Sequence, residues 1–178
     1  MTWPSPARRR AAARRGPNRA EAAVDAPDAS HVEVRRVFRA PPATIFAMWT
    51  RPDFIKRWNA RSGLSVPVAE VDLRVGGPYR LHLRAPDGTI HRIAGVYQVV
   101  DAPRHLAYTW LDESDPARCE SVVYVDFREH PDGTRVTLRH ELLPSSQSAR
   151  RHAIGWGACL DQLDQLLQDR GSHAIPTS

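Results

Sequence analysis

From Ala69 to Leu142 the chain is a nearly unbroken series of short segments in which apolar and polar residues alternate. No other feature limits its fold so strongly. "AEVDLRVGG" sets Val71, Leu73 and Val75 against Glu70, Asp72 and Arg74, and "YRLHLR" sets Tyr79, Leu81 and Leu83 against Arg80, His82 and Arg84. "TIHRIAGVYQVV" (89–100), "HLAYTWL" (105–111), "SVVYVDF" (121–127) and "RVTLRHEL" (135–142) continue the series. A period of two predicts strands with one buried face. "APDGT" and "EHPDGT" supply Asp-Gly turns, and Gly95 inside the longest segment predicts a bulge or bend. Turns this short cannot carry the crossovers that parallel strands need, so the sheet is an antiparallel meander. Its apolar face requires a cover.

The only long cover is the segment from about Gln147 to Asp169, where Leu160, Leu163 and Leu167 recur at helical spacing. Upstream, "HVEVRRVFRA" (31–40) reads as a first strand. "PPATIFAMW" and "RPDFIKRW" follow as two short helices, opened by Pro42 and Pro52. The expected architecture is therefore α+β: about six or seven curved antiparallel strands wrapped around one C-terminal helix, with two short helices after the first strand. A curved sheet cannot touch a straight helix along its whole length. Where it bends away it leaves a cavity suited to a small ligand.

Residues 1–30 have few large apolar side chains and six arginines against Glu21, Asp25 and Asp28, so they are expected to form a disordered tail. The domain is expected over 31–170, with a second disordered tail at 171–178. Most of the net charge of +5 lies in the first tail, so the folded domain has no electrostatic case for binding nucleic acid. No segment is apolar over the roughly 20 residues of a membrane span, and no apolar stretch after the N-terminal arginines marks a secretory signal. Cys119 and Cys159 lack the spacing of a metal or redox pair, which points to the cytoplasm.

Four stretches in order, "APPATIFAMWTRPDFIKRWNA" (40–60), "VGGPYRLHLRAPDGTIHRIAGVYQVVDAPRHLAYTW" (75–110), "VYVDFREHPDGTRVTLRHELLP" (123–144) and "GWGACLDQLDQLL" (155–167), resemble homologues of the activator of the 90-kDa heat-shock-protein ATPase. The resemblance covers about 31–168. It implies the START-like, or SRPBCC, superfamily and a helix-grip fold with a hydrophobic cavity between sheet and long helix. It does not fix a function.

No nucleophile elbow, phosphate loop or HExxH is present, and the eight histidines have no metal-ligand spacing. No catalytic residue, metal or cofactor is therefore expected. What the sequence offers is aromatic. Trp49, Trp58, Tyr79, Tyr97, Tyr108, Trp110 and Trp156, with Met48, come from different elements and would line a cavity with flat apolar walls. His140 shares parity with Val136, Leu138 and Leu142 and would point inward. His152 lies one helical turn before Trp156. Trp156 itself stands between Gly155 and Gly157, which would allow close approach or leave space beside the helix. The expected function is binding of a small hydrophobic or aromatic molecule by a monomer or homodimer. The alternatives are a polyketide-cyclase-like enzyme, with His140 or His152 moving protons, and a chaperone-interacting protein.

Overall fold

The computed structural model describes residues 21–23, 31–60, 63–115 and 119–172. Eight strands form one antiparallel sheet: β1 (Glu21–Ala23), β2 (Val32–Phe38), β3 (Ser65–Val71), β4 (Pro78–Arg84), β5 (Ile90–Asp101), β6 (His105–Asp112), β7 (Ser121–His130) and β8 (Gly133–Glu141). The spatial order is β1-β2-β8-β7-β6-β5-β4-β3. The chain thus returns after β8 to pair with β2, and β3 to β8 form a meander. Helices α1 (Pro42–Thr50) and α2 (Pro52–Trp58) follow β2, and α3 (Ser146–Ser172) closes the chain. This is the curled sheet around a long C-terminal helix that the sequence predicts.

Both short helices start at the expected prolines, where a missing N–H leaves no helical bond unmade. Trp58 ties them together by donating its Nε1 hydrogen to the Met48 carbonyl at 2.8 Å. Gly95 marks a close approach of neighbouring backbone and side chain. A Cβ there would stand 2.0 Å from the Thr109 carbonyl oxygen and 2.7 Å from the Tyr79 ring, so only glycine lets β6 and Tyr79 come this close. Just beyond, the β5–β6 register shifts between Tyr97 and Val99, which adds a bulge.

Four expectations need correction. The third strand runs over Ser65–Val71 rather than into the Gly76–Gly77 turn, so Leu73 and Val75 are exposed (39% and 64%) instead of facing the core. Pro67 hid this strand from the sequence reading; a sheet edge tolerates it. Leu142 does not continue the inward parity of His140. Its φ is +61°, which reverses the alternation, turning Leu142 out (63% exposed) and Leu143 in (4%). Residues 21–23, assigned to the tail, pair with β2; the rest of 1–30 lies outside the described residues. The helix reaches Ser172, into the stretch expected to be a C-terminal tail, and 173–178 lie outside the described residues.

Leu160 and Leu163 are fully buried on the inner face of α3, Leu166 joins them, and Leu167 packs at their edge. Among these aliphatic contacts β2 inserts a charge. Arg36 points inward with Val32, Val34 and Phe38, is 4% exposed, and pairs with the exposed Asp161 of α3. Its Nε has no hydrogen-bond partner. A buried cation is tolerable only while its counter-ion stays in place.

Two outcomes follow for stability. Leu163→Ala should cost about 2–5 kcal/mol in denaturant titration, as for other buried leucines, and a loss below about 0.5 kcal/mol would reject this helix face. Asp161→Ala should cost about 1–3 kcal/mol by stranding Arg36, whereas Arg36→Met, which removes the charge as well, should cost less. The reverse order would mean that the pair is a surface contact.

Candidate functional site

The inner aromatic residues do not enclose one large chamber. Tyr79, Tyr97 and Tyr108 pack against one another with ring centroids 5.4–5.7 Å apart. Trp49 lies 4.9 Å from Trp58 and stacks at 6.3 Å over Trp156. Their polar ends are used internally. Tyr79 donates its hydroxyl hydrogen to the Thr109 carbonyl (2.8 Å), and Trp49 Nε1 donates to the Tyr108 hydroxyl oxygen (3.3 Å). Burial raises the hydroxyl pKa of all three tyrosines, so they stay neutral. The space left among Trp49, Trp58, Tyr79, Tyr97, Tyr108 and their neighbours is about 30 Å3, room for one water. Met48 lines neither this space nor the larger cleft toward the start of α3; it is 1% exposed in the core. Trp49, Trp58, Tyr79, Tyr97 and Tyr108 thus border only this small space, and Met48 lies in the core.

The usable space lies to one side, toward the start of α3. A cleft of about 280 Å3 opens between β4–β7, the Leu143–Pro144 segment and the first turns of α3. Leu83, Ile93, Trp110, Leu143 and Trp156 give it apolar walls, and Asp112, Asp115, His91 and Arg151 stand among its polar lining. Of the ten expected cavity residues, Trp110, His152 and Trp156 line it. Trp110 is the pivot: its ring lies 5.3 Å from Trp156, 5.7 Å from His140 and 6.4 Å from His152. Gly155 also borders the cleft, whereas a Cβ at Gly157 would meet nothing within 4 Å. Gly157 therefore serves no close packing and faces open space, while Gly155 borders the cleft.

His140, fully buried, sits behind the cleft wall in a chain of hydrogen bonds with only one consistent direction. Trp156 Nε1 donates to His140 Nδ1 at 3.1 Å. An indole nitrogen only donates, so Nδ1 carries no hydrogen and the neutral ring is protonated at Nε2. Nε2 then donates to Ser121 Oγ at 2.8 Å, and Ser121 passes its own hydrogen to the Trp110 carbonyl at 3.1 Å. Burial first, and the neighbouring His152 second, push the His140 pKa down to about 2. The His152 ring meets it edge-on at 4.5 Å and donates Nδ1–H to the Ser148 carbonyl at 2.9 Å. His140 is thus a fixed neutral strut, unable to take up a proton at Nδ1 without opposing the Trp156 N–H.

Several lining residues escaped the sequence reading. Ser121 shares the inward parity of Val123, Val125 and Phe127, and Ile93 and Leu83 were readable the same way. Asn59 and Cys159 were not readable: they meet only in the fold, Cys159 Sγ lying 3.8 Å from Asn59 Oδ1. Cys119, exposed, stands with Cys159 among the lining residues, and neither forms a disulfide. Among the described residues no cluster of His, Cys, Asp or Glu is arranged to hold a metal ion, and no helix is long and apolar enough to cross a membrane.

A curled antiparallel sheet gripping one long helix, with a cleft where the two diverge, is the helix-grip architecture of START-like domains. Residues 39–168 match the family model for "Activator of Hsp90 ATPase homolog 1-like protein", and the chain belongs to that family. Similar solved structures include a Rhodobacter sphaeroides protein (19% identity, TM-score 0.75, covering 85% of this chain and 99% of that one). The AHSA1-like protein from Aeromonas hydrophila shares 26% identity at a TM-score of 0.68 over 83% and 99% of the two chains. CalU16 from Micromonospora echinospora shares 27% at 0.59 over 77% and 75%. No curated protein matches the chain.

The His140 strut has a pH signature. An unfolded histidine titrates near 6.5, and His140 in the fold is held near 2. Below 6.5 the unfolded state binds a proton that the folded state refuses. The stabilising difference is complete above 6.5 and is lost as pH falls, by about 1.4 kcal/mol per pH unit. Unfolding free energy measured from about pH 6 to about pH 4 should fall more steeply for the wild type than for His140→Gln by nearly this slope. Parallel curves would mean that His140 titrates normally in the fold.

Proposed function

We propose that this domain binds a small molecule of one or two apolar rings in the cleft beside Trp110 and Trp156, as a binding module of the cytoplasm. The observation that carries this reading is the cleft: about 280 Å3 with two indole walls and a polar lining. That volume is at the lower end of ligand pockets, so the ligand is small. The helix-grip family commonly binds hydrophobic ligands, which fits. The absence of disulfides at Cys119 and Cys159 fits a reducing compartment.

The cyclase-like alternative needs a group that exchanges protons with substrate near neutral pH. His140 does not qualify, because its tautomer is fixed and its pKa lies near 2. The observation that favours the chaperone-interaction alternative is the nearly filled interior, where only about 30 Å3 remains among the tyrosines. The larger cleft outweighs it.

Native mass spectrometry of protein purified without denaturant should find a bound small molecule, and naphthalene-type probes should quench tryptophan emission. Gly155→Leu would fill the cleft from the helix side while removing a helical glycine that costs roughly 1 kcal/mol. It should abolish both signals without lowering the melting temperature. Unchanged quenching in this variant would place the probe elsewhere, and no quenching in the wild type would end the ligand-binding reading.

A further inference from the structure

The hydrogen-bond chain behind the cleft has a direction, and this bears on what the cleft can hold. Ser121 is one of its lining residues, is 2% exposed, and lies on the inward face of β7. A serine hydroxyl has one hydrogen and two lone pairs. The hydrogen goes to the Trp110 carbonyl, and one lone pair accepts the Nε2 hydrogen of His140. His140 cannot turn its ring to reverse this, because Trp156 Nε1 requires an acceptor at Nδ1. Only the second lone pair of Ser121 Oγ remains, and a lone pair accepts. At Ser121 the cleft therefore presents an acceptor and no donor.

Resting on the ligand-binding reading above, we propose that the cleft selects ring compounds carrying a hydrogen-bond donor, a phenolic O–H or a ring N–H, and that Ser121 Oγ receives this hydrogen. A ring bearing only a carbonyl or an ether oxygen would set lone pair against lone pair at Ser121 and gain no hydrogen bond there. Trp156 and Trp110 supply the stacking area; Ser121 supplies the discrimination. The helix takes part through Trp156, whose N–H fixes the imidazole and so fixes the sign of the site. Ser121 is thus a specificity-determining residue, and Trp156 and His140 are positioning residues for it.

The test uses three probes of similar size on the full chain near pH 7: 2-naphthol, 2-methoxynaphthalene and naphthalene, each titrated by quenching of tryptophan emission. The wild type should prefer 2-naphthol over 2-methoxynaphthalene, and Ser121→Ala should reduce that preference by roughly 3- to 10-fold, the worth of one neutral hydrogen bond. Naphthalene should bind both proteins alike. A preference that is absent, or equal in the two proteins, overturns the donor assignment and leaves the ligand-binding reading standing. Failure of all three probes to bind the wild type overturns both. Should Ser121→Ala not fold, nitrogen NMR of His140 in the wild type decides the matter. Hydrogen on Nε2 and none on Nδ1 supports the assignment, and the opposite tautomer overturns it.

Discussion

The hydrogen bond from Trp156 to His140 fastens the long helix to the sheet where the two would otherwise part. Farther along α3, Leu160 and Leu163 close against the sheet by apolar contact, beside the Arg36–Asp161 pair. Toward its start the sheet curls away, and contact is kept by an indole reaching from the helix to an imidazole on β8 at 3.1 Å. The tautomer of His140 and the direction of the Ser121 hydroxyl both follow from that one donor. The cleft exists beside this junction because neither partner fills the remaining space and Gly155 adds no side chain to it.

Two devices let a meander curl this far. Gly95 admits the Thr109 carbonyl and the Tyr79 ring at distances no other residue would allow, and the adjacent bulge re-aims β5. Tyr79 and Tyr97 then each meet Tyr108 edge to face, and the void behind them shrinks to about the size of one water. The same curvature that empties the space near Trp110 fills the space near Tyr97. Of the two spaces beside the aromatic residues, the larger lies where the curl outruns the helix.

The fold was legible because period-two and helical patterns are local. Every strand from Pro78 onward, both proline-opened helices and the buried stripe of α3 could be read from spacing. The strand at Ser65–Val71 was hidden by Pro67, and the reversal at Leu142 by a backbone angle that a leucine seldom adopts. The candidate site was only half legible. Parity identifies which aromatic residues point inward, but a ring that fills a void and a ring that borders one have the same parity. Trp49, Trp58, Tyr79, Tyr97 and Tyr108 did the first, and Trp110 and Trp156 did the second as well. The distinction depends on the curvature of the sheet, which no local pattern encodes. Ser121 has the right parity, but one small hydroxyl does not stand out among valines.

The two cysteines give the cleft a further property. The chain has only these two thiols, and both border the same cavity, Cys119 exposed and Cys159 buried. A thiol-directed fluorophore added to the native protein would therefore react first at Cys119 and sit at the cleft. The unmutated sequence thus already provides a labelling handle for a reporter of occupancy, and an alkylating agent that reaches Cys159 would report instead on the opening of the wall behind it.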